Sequence, residues 1–308
     1  MLRLDANLGT AKSKNVTLRD ALFNSNYNLN WLSLARLFLF ASRDLWFEVP
    51  LPFYLRSPPC PALGLACNAT LPCGGGTLCS PIGVCENAAV GGQCGGLGLD
   101  RATVGAFLGL YIIVYGQMQA FTPQLILNPL KQGPPNKWTE VLWGYVNCLP
   151  PLMLGIIVLV APAFQGSTQQ QGPQLGAMIA MIAFFCLVFA INSSIHSYLV
   201  VRYADGNKVA QSVGFYYMAN AGGRLSGTLI SGALYSYVDT RQATAGMGAC
   251  FVSGAAASLL ATLITYKIRD DKAGLYCGSL ACIQSVVEED VPCCAPQTPC
   301  DDAAYLNT

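Results

Sequence analysis

The sequence has little charge and almost no histidine. Only 11% of its 308 residues are Asp, Glu, Lys or Arg, and His196 is the single histidine. Ordinary soluble domains carry about 25% charged residues. Hydrophobic residues make up 53%, and the mean hydropathy is +0.43. This composition favours a chain whose outer surface is lipid. The alternative is a large soluble domain of buried helices, which the lack of polar helix faces disfavours.

The motifs of enzymes and of nucleic-acid-binding proteins are also missing from the sequence. It contains no G-x-x-x-x-G-K-[ST] loop for nucleotide phosphates, and no nucleophile–base pair surrounds the one histidine. A net charge of +1 provides no field that would attract nucleic acid. We therefore expect no enzyme activity, no cofactor, no resident metal and no nucleic-acid partner.

Six apolar segments are long enough to cross about 30 Å of hydrocarbon. Turn-rich stretches such as LNPLKQGPPNK, FQGSTQQQGPQ and RYADGNK separate several of them. The segments are about 31–55, 102–124, 138–163, 175–201, 209–237 and 243–267. The predicted fold is an all-α membrane protein, with a six-helix bundle formed by 31–55 and 102–268. Pro150 and Pro151 should break or kink the third helix.

The positions of lysine and arginine predict the orientation. With the N-terminus in the cytoplasm, eleven of the 17 basic residues fall in inner segments. These eleven are Arg3, Lys12, Lys14, Arg19, Lys131, Lys137, Arg202, Lys208, Lys267, Arg269 and Lys272. Only Arg56, Arg101 and Arg241 fall in outer loops. We therefore expect both termini to be cytoplasmic, with 1–30 as a basic cytoplasmic segment. The membrane would be the plasma membrane or another membrane of the secretory pathway.

The outer loop 56–101 is rich in cysteine, glycine and proline, and it holds the sequon Asn68-Ala69-Thr70. Such a loop is typical of a disulfide-stapled module in an oxidising compartment, where Asn68 would be glycosylated. The spacing leaves the pairing open. A zinc site is the alternative, although the loop has no C-x-x-C pair and no histidine. Its cysteines are Cys60, Cys67, Cys73, Cys79, Cys85 and Cys94.

Residues 269–308 form an acidic, cysteine-containing tail, with no Lys or Arg after Lys272. The composition is typical of a disordered cytoplasmic segment with reduced thiols. Two alternatives are palmitoylation of Cys277 or Cys282 near the membrane and adventitious metal binding.

Polar side chains inside the apolar segments are the main evidence for function. An ionisable group in a membrane is costly, so it faces a protein interior or a water-filled cavity. The candidates for binding an anionic substrate are Arg43, Arg224, His196, Tyr216, Asn220 and Asn192. The candidates for carrying a coupling proton are Asp44, Glu48 and His196. For each of them, a packing role in a helix interface is the alternative. Together they indicate one polar cavity that accepts an anion.

Spacing places several of these candidates on common helix faces. Tyr216, Asn220 and Arg224 recur every four residues, and Asn192 and His196 are also four apart. A second four-spaced stripe in the fifth segment contains only small residues, and it should allow another helix to approach closely. The small residues are Ala219, Gly223, Gly227 and Ser231.

Three stretches resemble one transporter family. They are LSLARLFLFASRDLWF, GAFLGLYIIVYGQMQA and NSSIHSYLVVRYADGNKVAQSVGFYYMANAGGRLSGTLISGALY. They resemble the organoarsenical efflux permeases of the major facilitator superfamily (the ArsJ type), over about 20–55 and 102–268. The last stretch, 192–235, is the most specific, because its histidine, Tyr-Ala-Asp loop, FYYMAN and GGR follow the family's order.

The resemblance implies a carrier that exports 1-arseno-3-phosphoglycerate by proton-coupled alternating access. Its pathway partner would be glyceraldehyde-3-phosphate dehydrogenase, which makes this ester from arsenate. The six segments match the second half of a twelve-helix carrier, and 1–30 resembles the linker between halves. Transport would then require a second six-helix half or a homodimer. The alternative is a non-transporting scaffold or receptor-like protein whose cysteine-rich loop binds a partner.

Overall fold

The computed structural model of the protein is built mainly of α-helices. It describes residues 26–57, 77–79, 85–87, 96–160, 171–204, 209–237, 243–270, 274–277 and 280–283. The helices are α1 (Tyr27–Asp44), α2 (Pro50–Arg56), α3 (Arg101–Thr122), α4 (Lys137–Val160), α5 (Gln171–Tyr203), α6 (Val209–Tyr237) and α7 (Ala243–Thr265). A π-helical turn, Pro123–Leu127, extends α3. The strands form two antiparallel hairpins, β1 (Thr77–Cys79) with β2 (Cys85–Asn87) and β3 (Leu275–Cys277) with β4 (Leu280–Ile283).

Four of the described helices are long and apolar enough to cross a membrane. They cover Arg101–Leu127, Lys137–Val160, Pro173–Tyr203 and Ala245–Thr265. The prediction of six spans is thus confirmed for four segments. The two others, 31–55 and 209–237, are helical but lack that apolar composition. The reason lies in their sequences, because the first holds four charged residues and the second holds Arg224 among glycines and serines.

The first predicted span is not one continuous helix. α1 ends at Asp44, a turn covers 45–49, and α2 starts at Pro50. Proline accounts for this break, because Pro50 has no N–H to continue the hydrogen bonds of α1 and suits the first turn of the next helix. The carbonyl of Trp46 accepts instead from the N–H of Leu51, at 2.8 Å. The break leaves Glu48 in a turn directly after Asp44.

Pro150 and Pro151 do not break α4, which runs through both of them from Lys137 to Val160. Of the two predicted effects, a break or a kink, the break does not occur. α4 packs along α7 and α5, and neighbouring helices allow proline within membrane helices. Close contact with α7 is visible at Gly144, where an added Cβ would overlap the hydroxyl of Thr262.

Polar contacts tie the segments at one end of the bundle together. Asn26 caps α1, and its side-chain nitrogen donates to the carbonyl of Tyr203, 2.8 Å away. The backbone N–H of Arg269 donates to the side chain of Asn28 at 2.9 Å. Arg202 donates to the carbonyl of Pro135 at 2.9 Å. We call this the basic end, because it joins four segments that carry most of the predicted inner lysines and arginines.

The small-residue stripe of α6 packs against α1, as predicted. At Gly223 an added Cβ would overlap the carbonyl oxygen of Leu37. At Gly227 it would lie 2.9 Å from the carbonyl oxygen of Ala41. Only glycine allows the two backbones to come this close, and this approach brings Arg224 next to the end of α1.

Replacing Gly223 by alanine should therefore separate α1 from α6. We expect the free energy of unfolding to fall by about 1–3 kcal/mol, the usual cost of overpacking. The matched control is Gly232→Ala, because among the described residues no atom lies within 4 Å of a Cβ added at Gly232. Thermal unfolding of both purified variants in detergent checks this. Equal Tm values for the two would contradict the close α1–α6 contact.

Candidate functional site

Arg43 and Asp44 lie at the end of α1 and start a cluster of four charged side chains. Nε of Arg43 donates to Oδ1 of Asp44 at 2.6 Å. Nη2 of Arg43 lies 3.6 Å from Oε1 of Glu48, in the turn after α1. Both Arg43 and Asp44 are buried, so this pair is removed from solvent.

Arg224 completes the cluster from the middle of α6. Its Nε donates to Oδ2 of Asp44 at 3.1 Å, and its Nη2 donates to Oε1 of Glu48 at 2.8 Å. Each oxygen of Asp44 is thus bonded to a different arginine. We call Arg43, Asp44, Glu48 and Arg224 the arginine–carboxylate cluster; with all four ionised, its charges sum to zero.

This cluster is closed on one side and open on the other. Asp44 has no exposed side-chain area, whereas the side chains of Arg224 and Glu48 are 51% and 37% exposed. In a membrane-spanning chain, lipid is a costly neighbour for a guanidinium and a carboxylate. The open side of the cluster therefore requires water or more protein.

A second, fully buried polar cluster lies nearer the basic end. Nε2 of His196, on α5, lies 2.6 Å from Oε1 of Glu140, in the first turn of α4. This distance is short enough for an ion pair, although the two groups do not have the angles of a hydrogen bond. We call these two residues the Glu140–His196 pair.

Arg36 places a second cation beside this pair. It is buried, it interacts electrostatically with Glu140, and its Nη1 donates to the carbonyl of Ser193 at 3.4 Å. Its guanidinium carbon lies 4.8 Å from the ring centre of Tyr216 and 4.0 Å from that of Phe40. These are cation–π distances, which partly offset the loss of hydration.

Several polar atoms of this region have no hydrogen-bond partner among the described residues. They are Nδ1 of His196, Oε2 of Glu140, Nε of Arg36 and the hydroxyl of Tyr216. Unsatisfied buried polar groups are uncommon in proteins and require an explanation. Here they leave donors and acceptors available for a proton or a water molecule.

An aromatic layer separates the two clusters. Arg36 and Arg43 are seven residues apart on α1, which is about 10 Å along a helix axis. Phe40 lies between them, with its ring centre 5.3 Å from that of Phe189 on α5. The guanidinium carbon of Arg43 lies 5.4 Å from each of these two ring centres. The predicted site residues therefore lie in two groups, with Arg43 and Arg224 on one side of these rings and His196 on the other.

The other predicted site residues either join two helices or lie beside one of the two clusters. The amide nitrogen of Asn192 donates to the carbonyl of Trp143 at 2.8 Å, which joins α5 to α4. Tyr216 lies beneath Arg36. Asn220 lies between Tyr216 and Arg224 along α6, and its Oδ1 has no hydrogen-bond partner in the described part of the chain.

Glu140 is the site residue that the sequence analysis missed. A usable signal was present, because Glu140 is an acidic residue at the inner end of the third predicted span. His196 lies at the inner end of the fourth span, so both have the same depth. Matching polar residues by depth across adjacent spans would have paired them.

Most of the predicted disulfide module lies outside the described residues. This applies to Asn68 and to the cysteines Cys60, Cys67, Cys73 and Cys94. The hairpin β1–β2 places Cys79 directly opposite Cys85 in the strand register. Among the described residues, no group of three or more His, Cys, Asp or Glu could hold a metal ion.

The fold indicates a class of protein, a helical membrane protein that crosses the bilayer several times. The four apolar helices carry this conclusion through their length and composition. Neither the models of known protein families nor the curated proteins contain a match to this chain.

Proposed function

We propose that the chain is one half of a carrier that moves an organic phosphate or arsenate anion across a membrane. The observation that carries this proposal is the convergence of Arg43 and Arg224, from two helices, on one buried carboxylate, with Arg224 at the open side. An arginine fork can bind a phosphate-like group by two parallel hydrogen bonds. The half-exposed guanidinium of Arg224 is the accessible part of this site.

In this mechanism the substrate competes with Asp44 and Glu48 for the two arginines. The anion replaces carboxylate oxygens as acceptors, and Tyr216 and Asn220 extend the polar face of α6 from Arg224. Protonation of a displaced carboxylate would favour anion binding, because the proton and the anion then stabilise each other. At this cluster, protons and substrate therefore bind together rather than in exchange.

A proton-driven exporter needs exchange, so we assign the coupling proton to a different site, the Glu140–His196 pair. The aromatic layer of Phe40 and Phe189 separates this pair from the arginine–carboxylate cluster. The pair can hold a proton while the cluster holds no anion. The pair of His196 and Glu140 would then hold the proton in one orientation of the carrier and release it in the other. The basic end would lie in the cytoplasm.

The open side of the arginine–carboxylate cluster also supports a second six-helix unit. Arg224 and Glu48 would otherwise contact lipid at considerable cost. A second half, or a second copy of the chain, would enclose the cluster between two bundles. This matches the substrate position in carriers that are built from two repeats.

The proposed substrate, 1-arseno-3-phosphoglycerate, rests on the resemblance to the organoarsenical efflux permeases. Its phosphate and arsenate groups provide two sites for arginine. The physical support is the match between these negative groups and the two arginines.

Arsenate resistance tests the proposal directly. Arsenate-sensitive cells that contain glyceraldehyde-3-phosphate dehydrogenase would express the chain, alone or with a six-helix first half. We expect resistance from the chain, and Arg224→Ala should abolish it without lowering the amount of membrane-inserted protein. Arg224→Lys should retain only part of the resistance, because lysine lacks the bidentate fork. Arg56→Ala, an exposed arginine outside the cluster, is the matched control. Full resistance in Arg224→Ala would refute the assigned site.

A second candidate function is a non-transporting membrane scaffold. The favouring observation is the neutral cluster itself, because both arginines are bonded to carboxylates of the same chain. Buried ion pairs of this kind fix how helices pack. The same cell assay distinguishes the candidates, since a scaffold confers no resistance, whether it is expressed alone or with the first half.

A further inference from the structure

The acidic tail contains a β-hairpin that brings two cysteines together. Cys277 ends β3, and Cys282 lies in β4, which starts at Leu280. The two sulfur atoms are 2.6 Å apart, well inside van der Waals contact. Cys282 is exposed and Cys277 is partly exposed. This hairpin differs from the disordered tail expected from composition, and its two thiols are neighbours across it.

We propose that Cys277 and Cys282 form a reversible dithiol–disulfide site. In the orientation proposed above, the hairpin lies on the cytoplasmic side, and this part of the inference rests on that proposal. Disulfides in the cytoplasm are usually transient and redox-sensing, whereas exposed disulfides are the more easily reduced ones. An exposed pair on a short hairpin fits this class better than a permanent cross-link does.

The oxidant would be a small disulfide such as glutathione disulfide. The thiolate of the exposed Cys282 attacks one of its sulfurs, so that a mixed disulfide forms and one glutathione leaves as a thiolate that takes up a proton. The thiolate of Cys277 then attacks the Cys282 sulfur and displaces the second glutathione. Two protein thiols and one glutathione disulfide thus become one protein disulfide and two glutathione thiols.

The hairpin is connected to α4 by one residue. The side-chain nitrogen of Asn136 donates to the carbonyl of Gly274, directly before β3, at 2.8 Å. The side-chain oxygen of Asn136 accepts the backbone N–H groups of Trp138 and Thr139, at 2.9 and 3.2 Å, and so caps α4. Closing the disulfide restrains the hairpin next to this cap. The hairpin is therefore attached to the N-terminal cap of α4.

Mass spectrometry of the full chain tests the proposal without any transport assay. Cleavage after Lys272 and after Glu288 releases residues 273–288, which contain no other cysteines than this pair. The purified protein is equilibrated with reduced and oxidised glutathione at several ratios, quenched with acid and alkylated. We expect this peptide to change from two alkylated thiols to none, with the loss of two hydrogens, as the oxidised share rises. Excess reduced glutathione should reverse the change.

Three outcomes would overturn the proposal. The peptide could remain alkylated at every ratio, it could carry glutathione on each cysteine without an internal disulfide, or it could stay oxidised in excess reduced glutathione. Cys277→Ser and Cys282→Ser check the resolving step, because each should leave the other cysteine as a stable mixed disulfide. Cys148→Ser, in α4, is the control and should behave as the unmodified chain. The result is independent of whether the chain transports an anion.

Discussion

Replacing Arg43 by alanine should lower the free energy of unfolding by about 3–5 kcal/mol, the usual cost of removing one partner from a buried pair. Asp44 has no exposed side-chain area, and Arg43 is its buried partner at 2.6 Å. After the substitution, Oδ1 of Asp44 would remain buried without this donor. Thermal and denaturant unfolding of the purified protein in detergent would report the loss as a lower Tm.

Arg224→Ala is the matched comparison for this experiment. It removes the other arginine bonded to Asp44, but its side chain is 51% exposed. Exposed ion pairs contribute about 0–1 kcal/mol, because water already screens them. We therefore expect Arg224→Ala to remain close to the unmodified chain in stability. If the two variants lost equal stability, the asymmetry of the cluster would be refuted.

A double variant distinguishes lost charge pairing from lost packing. Arg43→Met combined with Asp44→Leu removes both members of the buried pair and leaves Arg224 beside Glu48. Well-packed apolar residues often replace a buried pair at no net cost. The double variant should therefore recover most of the stability that Arg43→Ala loses. If the double variant remained as unstable as Arg43→Ala, the packing of the two side chains, rather than their charges, would stabilise the end of α1.

The sequence predicts what depends on neighbouring residues along one helix. Four helices that are long and apolar enough to cross a membrane followed from length and hydropathy. The close approach of another helix to α6 followed from the spacing of Gly223 and Gly227. These features are local, because a period of four residues is enough to define a helix face. Even the break after α1 has a local signal in Pro50.

Contacts between distant segments were not predictable in the same way. Arg224 is bonded to Asp44, 180 positions earlier in the chain. The sequence predicted that both arginines serve a site, but not that Arg224 is bonded to the two carboxylates beside Arg43. It also gave no sign that Phe40 and Phe189 separate Arg43 from His196, since aromatic residues are common throughout the spans. Both features depend on helix rotation, which periodicity alone does not determine.

In the tail, by contrast, the sequence analysis missed a local element. Its acidic composition predicted disorder, yet 275–283 contains a hairpin. The alternation in LYCGSLACI is short, and the Gly-Ser pair between the strands is a turn signal that composition averages out. Averages over a long segment therefore conceal a short ordered element within it.

Replacing Glu140 by glutamine should uncouple substrate movement from the proton gradient while leaving the binding of the anion intact. The substitution keeps the side chain's size and removes the charge that faces His196 and Arg36. Uphill export driven by a proton gradient should be lost, whereas exchange of anion for anion at equal pH should persist. Both can be measured with radiolabelled phosphoglycerate in vesicles that contain the purified chain and its second half.

The stability of the protein tests the Glu140–His196 pair independently of transport. In the described residues Glu140 is the carboxylate that faces both His196 and Arg36. Its removal should lower the free energy of unfolding, because the buried guanidinium of Arg36 then loses its electrostatic interaction with this carboxylate. His196→Gln should cost less, since Arg36 still balances Glu140, yet it should also abolish gradient-driven export. A Glu140→Gln chain that still exports against a gradient would return the coupling role to Asp44 or Glu48. Loss of exchange as well, in a folded His196→Gln chain, would instead show that the pair belongs to the anion site.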